Sequence, residues 1–439
     1  MSKRILLIGR WGKTHAFAKA IKEKSKYETE LYTYMDKPNV GIKKLSSDYI
    51  LDDMKDNKKI IEYAKSQKVD LAIAVPHMAL SNELTDDMIK NGIRCVGPTK
   101  KSSRLETSKS FLRQMIRELN LNVSPRFDIF SQPEDVIDFI KIIDYDFAIK
   151  PTGVTEGDGV KVMGIQLQNM DEAIDYIYEI FEKNIGGIAE IIIEEKLTGE
   201  EFTIQAFVDG KTVWGMPATR DYKLLYEGEK GLNTPGMGSI SFPDHYLPFL
   251  SKEEYHESLR IMTDVVNHLT DTYNETYIGF LSGQFIKTDD GIKVIEFNVR
   301  PGDSEIMNIT PILETDFIDI CEAMINNQLG FMDIKYEEKA TVCKYIVNKG
   351  FPHPKENLKM IINEKGIADA GADLFYSCFA VGENEYKPSP RGVAITTKGD
   401  TMQEAYELCE KVIADNIKGE DLWHRTDIGS KELLNHYSE

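Results

Sequence analysis

Residues 293–305 read Lys-Val-Ile-Glu-Phe-Asn-Val-Arg-Pro-Gly-Asp-Ser-Glu, a run that strings hard oxygen ligands and a fixed cation along a strand end. Val294, Ile295 and Phe297 have the β-branched and aromatic character of a strand, and alternation puts Glu296, Asn298 and Arg300 together on one face. A carboxylate and an amide oxygen suit Mg2+ (or Mn2+), which fills its shell from water and phosphate. Arg300 is placed to neutralise charge on a phosphoryl group in transfer. Alone, Glu-x-Asn-x-Arg reads first as the solvated face of a sheet strand; its company in the chain reverses that preference.

Periodicity shows the elements that must carry these residues. In the first hundred residues, apolar strands at 5–8, 31–34, 71–75 and 94–96 alternate with amphipathic helices near 15–24 and 60–66. This rhythm predicts a doubly wound parallel sheet, whose ligands bind at the carboxyl ends of its strands. The first such end is Gly9-Arg10-Trp11-Gly12-Lys13-Thr14-His15, where glycines let backbone approach an anion at a helix N-terminus, although a structural turn explains them as well. A helix over 108–120 follows Gly97-Pro98-Thr99 and leads to a strand over 146–149 that ends in Lys150. The loop Gly153-Val-Thr-Glu-Gly157-Asp-Gly159 comes next, then a strand over 160–163. A lysine on a rigid strand beside a flexible glycine loop is what a phosphate-covering lid requires. After a helix near 173–183, residues 191–202 form a carboxylate-rich strand, turn and strand. Beyond 331 lies an α+β unit with strands near 340–347 and 392–396 and a helix over 402–417.

The chain of 439 residues is too long for one ordinary core and suggests three domains. Its formal charge of -19 opposes association with nucleic acid or anionic membrane, so anionic substrates must be met by local basic groups and backbone amides. Five scattered cysteines without Cys-x-x-Cys spacing read as buried thiols in a reducing compartment, and no apolar run is long enough for a signal or membrane anchor. A cytoplasmic location is expected. Phe280, Phe285 and Phe297 read as core, and the acidic run over 52–56 as a solvated loop or helix face.

Taken in order, Lys150, the glycine loop, Ile-Glu-Glu-Lys-Leu with Gly-Glu-Glu-Phe, Asn233-Thr-Pro-Gly236-Met-Gly238 and Glu-Phe-Asn-x-Arg-x-Gly-Asp resemble the ATP-grasp superfamily. Within it the chain resembles the phosphoribosylamine–glycine ligase family, in wording closer to archaeal members. Gly97-Pro-Thr-Lys, Leu105-Glu-Thr-Ser-Lys-Ser-Phe, Gln205-Ala-Phe-Val-Asp-Gly, Lys349-Gly-Phe-Pro and His424-Arg-Thr-Asp-Ile-Gly support this narrower resemblance, which covers essentially the whole chain.

The resemblance implies an ATP-grasp fold with an N-terminal doubly wound domain over 1–104, an ATP-grasp domain over 105–332 whose lid spans about 122–198, and a small C-terminal α+β domain over 333–439. It implies ATP with Mg2+, small-molecule substrates, and a monomer or homodimer. The implied reaction joins glycine to 5-phosphoribosylamine through an acyl phosphate, shielded from water until the amine arrives. On this sequence Lys150 would contact the α and β phosphates under a lid containing Gly157 and Gly159. Glu194 and Leu197 would meet adenine through backbone groups, leaving their side chains replaceable, and Glu201 would take the ribose hydroxyls. Glu296 and Asn298 would hold the metal, with Gln284 where many relatives carry a third, acidic ligand. Arg300 would stabilise the transferring phosphoryl group. Gly302 and Asp303 would shape the glycine site, with Asp303 receiving its ammonium, and Asp221 would help the substrate site. Gly12, Lys13, His15 and His77 would face the acceptor, although a lone histidine at a strand end is more often structural.

The chain departs from the family in the loops nearest the acceptor. Lys13 and Thr14 replace an arginine and a glutamate, and Val75-Pro76-His77-Met78 lacks a ribose-binding acid. Asp158 stands at a lid lysine position, Pro235 in a glycine pair, and Ser304 for a proline. These changes leave open a paralogue that joins another acid and amine, or a non-catalytic nucleotide sensor; the retained Lys150, Glu296, Asn298 and Arg300 argue against the sensor.

Overall fold

Apolar runs in the first hundred residues build the first sheet. In a computed structural model of the chain, which describes residues 2–75, 82–153, 159–353 and 356–435, the strands β1 (Lys3–Ile8), β2 (Thr29–Met35), β3 (Asp48–Leu51), β4 (Leu71–Ala74) and β5 (Cys95–Val96) lie in the order β3-β2-β1-β4-β5. Every pairing is parallel. Helices cover both faces, so Ile5 to Ile8 and Leu71 to Ala74 are buried as continuous runs and do not alternate. The strand order reverses between β1 and β4, which opens the ligand crevice at the end of β1. β3 escapes the periodicity reading because it is a four-residue edge strand, mostly exposed. The first helix, Gly12–Glu23, begins three residues earlier than the pattern predicts, so Gly12 and Lys13 occupy its first turn.

A second sheet, β6 (Phe127–Phe130), β7 (Phe147–Pro151), β8 (Lys161–Val162) and β9 (Ile191–Glu195), runs antiparallel in the order β6-β9-β7-β8. With the helices Pro133–Ile140 and Met170–Lys183 it closes its own small core, including Val136, Ile149, Ile177 and Ile193. The third sheet orders β11 (Val213–Gly215), β10 (Glu200–Asp209), β14 (Ile278–Thr288) and β15 (Gly291–Asn298) antiparallel. Phe280, Phe285 and Phe297 are buried in it, as core. The helix Lys252–Tyr273 packs on this sheet, started by a Ser251/Glu254 capping box and stopped by left-handed Asn274.

The fourth sheet crosses sequence position 333. The hairpin β12 (Arg220–Tyr226) and β13 (Lys230–Ser241) joins β16 (Ala340–Asn348), followed by β19 (Glu385–Gly399), β17 (Leu358–Ile362) and β20 (Ile417–Gly419). β18 (Asp373–Gly382) pairs with β19 and β21 (Leu422–Trp423) with β16. One apolar core runs from Ile5 and Phe17 through Phe280 and Met307 to Tyr345 and Ile395, tying the first sheet to the fourth. All five cysteines are buried and free. Among the described residues no helix is long and apolar enough to cross a membrane.

Candidate active site

Where β7 and β9 pass the helix Lys109–Glu118, three cations gather around one carboxylate. Ser108 caps this helix by accepting from the Phe111 amide, which places Lys109 at its first position and Arg113 one turn on. Arg113 is buried; its Nε and Nη2 donate to the two oxygens of Glu194 at 2.7 and 3.0 Å, and Nη1 and Nη2 also donate to the Val294 and Ile295 carbonyls of β15. Lys150 Nζ donates to Glu194 Oε2 at 2.6 Å. Burial alone would raise the Glu194 carboxyl, but Arg113 and Lys150 override it and hold it at about 2. The side chain expected to be replaceable is therefore the pin between the second and third sheets. The physical reason is strand position: Glu194 pairs with Phe127 of β6 on one side and Ala148 of β7 on the other, so its backbone lies inside the ladder and its side chain makes the outward contacts. Lys109 Nζ donates to the Gly153 carbonyl at 2.9 Å, and its nearby charges are Glu296, Lys150, Glu194 and Glu106.

The carboxyl end of β15 carries the strand face expected from alternation. Asn298 Nδ2 donates to Glu296 Oε1 at 3.2 Å, while its Oδ1 accepts from Arg300 Nη2 at 3.2 Å. Glu106 orients this end: its carboxylate accepts the Val299 amide at 2.8 Å and Arg300 Nε at 2.9 Å. Burial disfavours the Glu296 anion, yet Lys109 and Lys223 keep its carboxyl below the ordinary range. The ionised Glu296 carboxylate and the Asn298 amide oxygen form a hard-oxygen pair that fits Mg2+ completed by phosphate oxygens. Gln284, opposite Glu296 in register, does not complete it as expected: its Oε1 accepts from Lys223 Nζ at 2.7 Å. Among the described residues no group of three or more His, Cys, Asp or Glu side chains is arranged to hold a metal. Lys223 also pairs with Glu201 at 3.6 Å, so the carboxylate expected at the ribose faces a cation within the site. Gly159 donates no side chain; its carbonyl accepts the Tyr176 hydroxyl at 2.8 Å. Leu197 lies half-buried just beyond β9.

Asp303 joins the ends of three sheets. Its Oδ1 accepts Tyr345 Oη at 2.5 Å and Arg391 Nη2 at 2.6 Å, and its Oδ2 accepts the Lys13 amide in the first turn of the helix Gly12–Glu23 at 3.3 Å. The Asp303 carboxylate, expected to receive an ammonium, is thus a hub between these elements. In the neighbouring Asp221, Oδ1 is buried and meets no hydrogen-bond donor among the described residues. Burial and the proximity of Glu305 raise the Asp221 carboxyl well above its ordinary value, and burial likewise raises that of Glu305. Gly302 donates its amide to Gln205 Oε1 at 2.7 Å, within the loop that turns β15 toward Asp303.

Gly12 is bare because Tyr345 needs the space: a Cβ there would stand 2.6 Å from the Tyr345 hydroxyl. Lys13 turns inward, with Nζ 3.4 Å from the Pro301 carbonyl, and burial with Arg300 nearby lowers its ammonium to about 7. His15 does not join them. Two residues on along a helix it faces away, packed on Phe375 and Tyr376, and its Nδ1 accepts the Tyr376 amide at 3.0 Å. Burial and Lys19 hold the ring neutral, at about 3, so His15 is a packing residue and no acceptor ligand. Gly157, Asp158 and His77 lie outside the described residues.

The structure thus brings together Lys150, Glu194, Glu201, Asp221, Gln284, Glu296, Asn298, Arg300, Asp303 and Lys13, and adds Lys109, Glu106, Arg113, Lys223 and Arg391. Lys109 and Glu106 lie within the quoted Leu105-Glu-Thr-Ser-Lys-Ser-Phe, where an N-cap serine directly before a lysine was the available signal. Arg391 gives no local signal, because its partner Asp303 is 88 residues distant.

Family models match almost end to end across this arrangement: the phosphoribosylglycinamide synthetase N domain over residues 3–106 and its ATP-grasp (A) domain over 107–306. Phosphoribosylamine–glycine ligase from Methanobrevibacter smithii is 38% identical over 436 residues, 98% of this chain and 97% of that one. The enzyme of the same name from Methanopyrus kandleri is 40% identical over 435 residues, with the same coverage. In fold the chain is similar to phosphoribosylamine–glycine ligase from Thermotoga maritima, with a TM-score of 0.81 at 22% identity over 97% of this chain and 100% of that one. It is also similar to the biotin carboxylase domain of a Hydrogenobacter thermophilus 2-oxoglutarate carboxylase solved with MgADP, with a TM-score of 0.76 at 13% identity over 99% and 95% of the two chains.

Proposed function

Because the chain belongs to the phosphoribosylamine–glycine ligase family, we propose that the cation-lined end of β15 is where ATP activates the carboxylate of glycine for attack by 5-phosphoribosylamine. The enzyme is an ATP-grasp ligase that forms a C–N bond, makes glycinamide ribonucleotide in purine biosynthesis and uses ATP with Mg2+. The observation that carries this placement is the contiguous Glu296, Asn298 and Arg300 face of β15, with Lys223 on Gln284 opposite Glu296 and Lys150 on Glu194 beside it.

A carboxylate is a poor acylating agent. Its oxygen attacks the γ-phosphorus, ADP leaves, and the acyl phosphate then carries a leaving group. The amine nitrogen attacks the acyl carbon, phosphate departs with the C–O electron pair, and the ammonium proton is lost as the amide forms. Most of the catalysis is positioning and charge neutralisation. In this reading Lys150 and Lys109 hold the β side of the triphosphate, and Gly157 and Gly159 keep the lid role that the family resemblance implies. Leu197 borders adenine, Glu194 acts as the strut that aims Lys150, and Glu201 lies toward the ribose. Glu296 and Asn298 would hold Mg2+, which would supply positive charge against the phosphates; Gln284 contributes through Lys223. Arg300, fixed by Glu106, lies against the transferring phosphoryl group. Asp221 beside Glu305 takes the glycine ammonium, since two neighbouring buried carboxylates favour an added positive charge. Asp303, Gly12 and Lys13 set the helix N-terminus that meets the phosphorylated acceptor, and His77 keeps the acceptor role that the family resemblance implies.

The charge of -19 favours the absence of a nucleic-acid or anionic-membrane partner, and cytoplasmic residence and a monomeric or dimeric state belong to the same reading. The test is phosphate release from ATP and Mg2+ with a panel of amino acids, each with and without phosphoribosylamine generated in place. Turnover that needs both glycine and phosphoribosylamine is expected. Turnover only with a different amine would overturn the acceptor, and no turnover with any pair would overturn the ligase.

A further inference from the structure

The segment over residues 424–430 contains the motif His-Arg-Thr-Asp-Ile-Gly, which the reaction does not use directly. It lies against the turn of the β12–β13 hairpin, some two hundred residues earlier in the chain. Arg425 has no exposed side-chain surface. Its Nε and Nη2 donate to Asp427 at 2.8 and 2.6 Å, and its Nη1 donates to the Leu224 carbonyl at 3.0 Å and pairs with Glu229 at 2.6 Å. Asp427 in turn accepts the Gly228 amide at 2.9 Å, and the Thr426 amide donates to Glu227 at 3.3 Å. The segment is itself held from below, since the wholly buried Lys344 donates to the Thr426 carbonyl at 2.8 Å and pairs with Glu410.

This clasp matters because the hairpin does not fix itself where the site needs it. Tyr222 pairs with Gly238 and Leu224 with Asn233, so the single residue Lys223 stands opposite four residues of β13, and the ladder register is broken there. Lys223 nevertheless reaches Gln284 at 2.7 Å and lies in the field of Glu201, Asp221, Glu296 and Glu305. Its path is defined in part by the ladder pairs on either side and by the Thr234 hydroxyl of β13, which donates to the Lys223 carbonyl at 2.8 Å. Arg425 adds a hold on both sides of Lys223, through the Leu224 carbonyl one peptide on and over the Tyr222 ring at 5.3 Å.

We propose that Arg425 is a positioning residue for the ligase reaction, clamping Leu224 so that Lys223 stands at the phosphoryl end of the site. The proposal rests on the function given above and adds to it a long-range role for the C-terminal segment. Arginine suits the role because its planar fork serves Asp427, Glu229 and a carbonyl together, whereas a lysine ammonium is a single point donor.

The test is a double-mutant cycle on the full chain with Arg425→Lys and Lys223→Gln, read by binding of a non-hydrolysable ATP analogue with Mg2+, by turnover, and by melting temperature. A residue that acts through another loses its effect once the other is gone. Arg425→Lys is expected to lower kcat/KM and weaken nucleotide binding about tenfold in the Lys223 background and less than about twofold with Lys223→Gln, while the loss of melting temperature is the same in both. An equal kinetic and binding loss in both backgrounds, or none in either, would overturn the proposal. Should Arg425→Lys not fold, Glu229→Gln, which removes one partner of the fork from the surface turn, carries the same cycle with a smaller expected effect. The binding arm is independent of the acceptor, so an enzyme inactive with glycine and phosphoribosylamine would count against the function while the cycle still decides the clamp.

Discussion

Glu194 shows how much one buried carboxylate can organise. Breaking a buried pair strands the opposite charges, so Glu194→Gln leaves Arg113 and Lys150 without their anion and is expected to cost on the order of 3 kcal/mol near neutral pH. The pH dependence has a definite sign. The folded carboxyl lies at about 2 against an ordinary 4.5, so its stabilisation is present above about pH 4.5 and disappears as pH falls toward 2, with a linkage of about 3 kcal/mol. Melting curves of wild type and Glu194→Gln are expected to differ widely at neutrality and converge in acid; parallel curves would refute the pinning role. His15 gives the opposite kind of prediction. Its ring fills space over Gly41, where an added Cβ would lie 2.1 Å from the ring, so His15→Asn is expected to lower stability by about 2 kcal/mol through lost packing. Turnover should stay within about twofold of wild type from about pH 6 to 9, since a ring that stays neutral supplies no titration. A large change in the pH–rate profile would return His15 to the site.

At the scale of elements, the meeting of the helix Gly12–Glu23 with β16 is set by one missing methyl group. The Tyr345 hydroxyl reaches Asp303 over Gly12, and the Met307 sulfur lies 3.1 Å from the same virtual Cβ. Gly12→Ala is expected to overpack this contact, costing about 1–3 kcal/mol and displacing Asp303 from the first turn. In a Tyr345→Phe background the clash is relieved, so the added cost of Gly12→Ala should fall to under about 1 kcal/mol, leaving a coupling measurable by denaturant melts. Additive losses would show that the helix moves for another reason. The same contact explains why the helix start could not be placed from periodicity: Gly12 is buried by Tyr345 of the fourth sheet and Lys13 by the loop at 301–303 beyond β15, and nothing in their own polarity signals it.

For the whole molecule, the distribution of core predicts how it opens. The second sheet has an apolar core of its own, while the first and fourth sheets share one. Its attachment to the rest includes the Arg113–Glu194 fork and the Lys109 contacts, all at the nucleotide end of the site. Hydrogen exchange is therefore expected to show β6–β9 opening as a unit at lower free energy than β1, β2 and β16, and a bound ATP analogue with Mg2+ to slow β6–β9 selectively. Exchange of all four sheets at one common rate would contradict a separable lid.

The parallel first sheet, the lysine strand with its carboxylate-rich partner and the face of β15 follow from local periodicity, because alternation of side chains along a strand needs no knowledge of neighbours. The reaction class followed from the order of motifs along the chain. Tertiary structure alone decided which charges meet. Asp303 was expected at the glycine ammonium and is engaged by Arg391 and Tyr345; Gln284 was expected at a metal and accepts from Lys223; Glu194 was expected to act through its backbone and its side chain joins two sheets. Each of these partners comes from a distant strand or helix. A carboxylate's role depends on the donors and the desolvation around it, and both are set by packing between elements that the sequence separates.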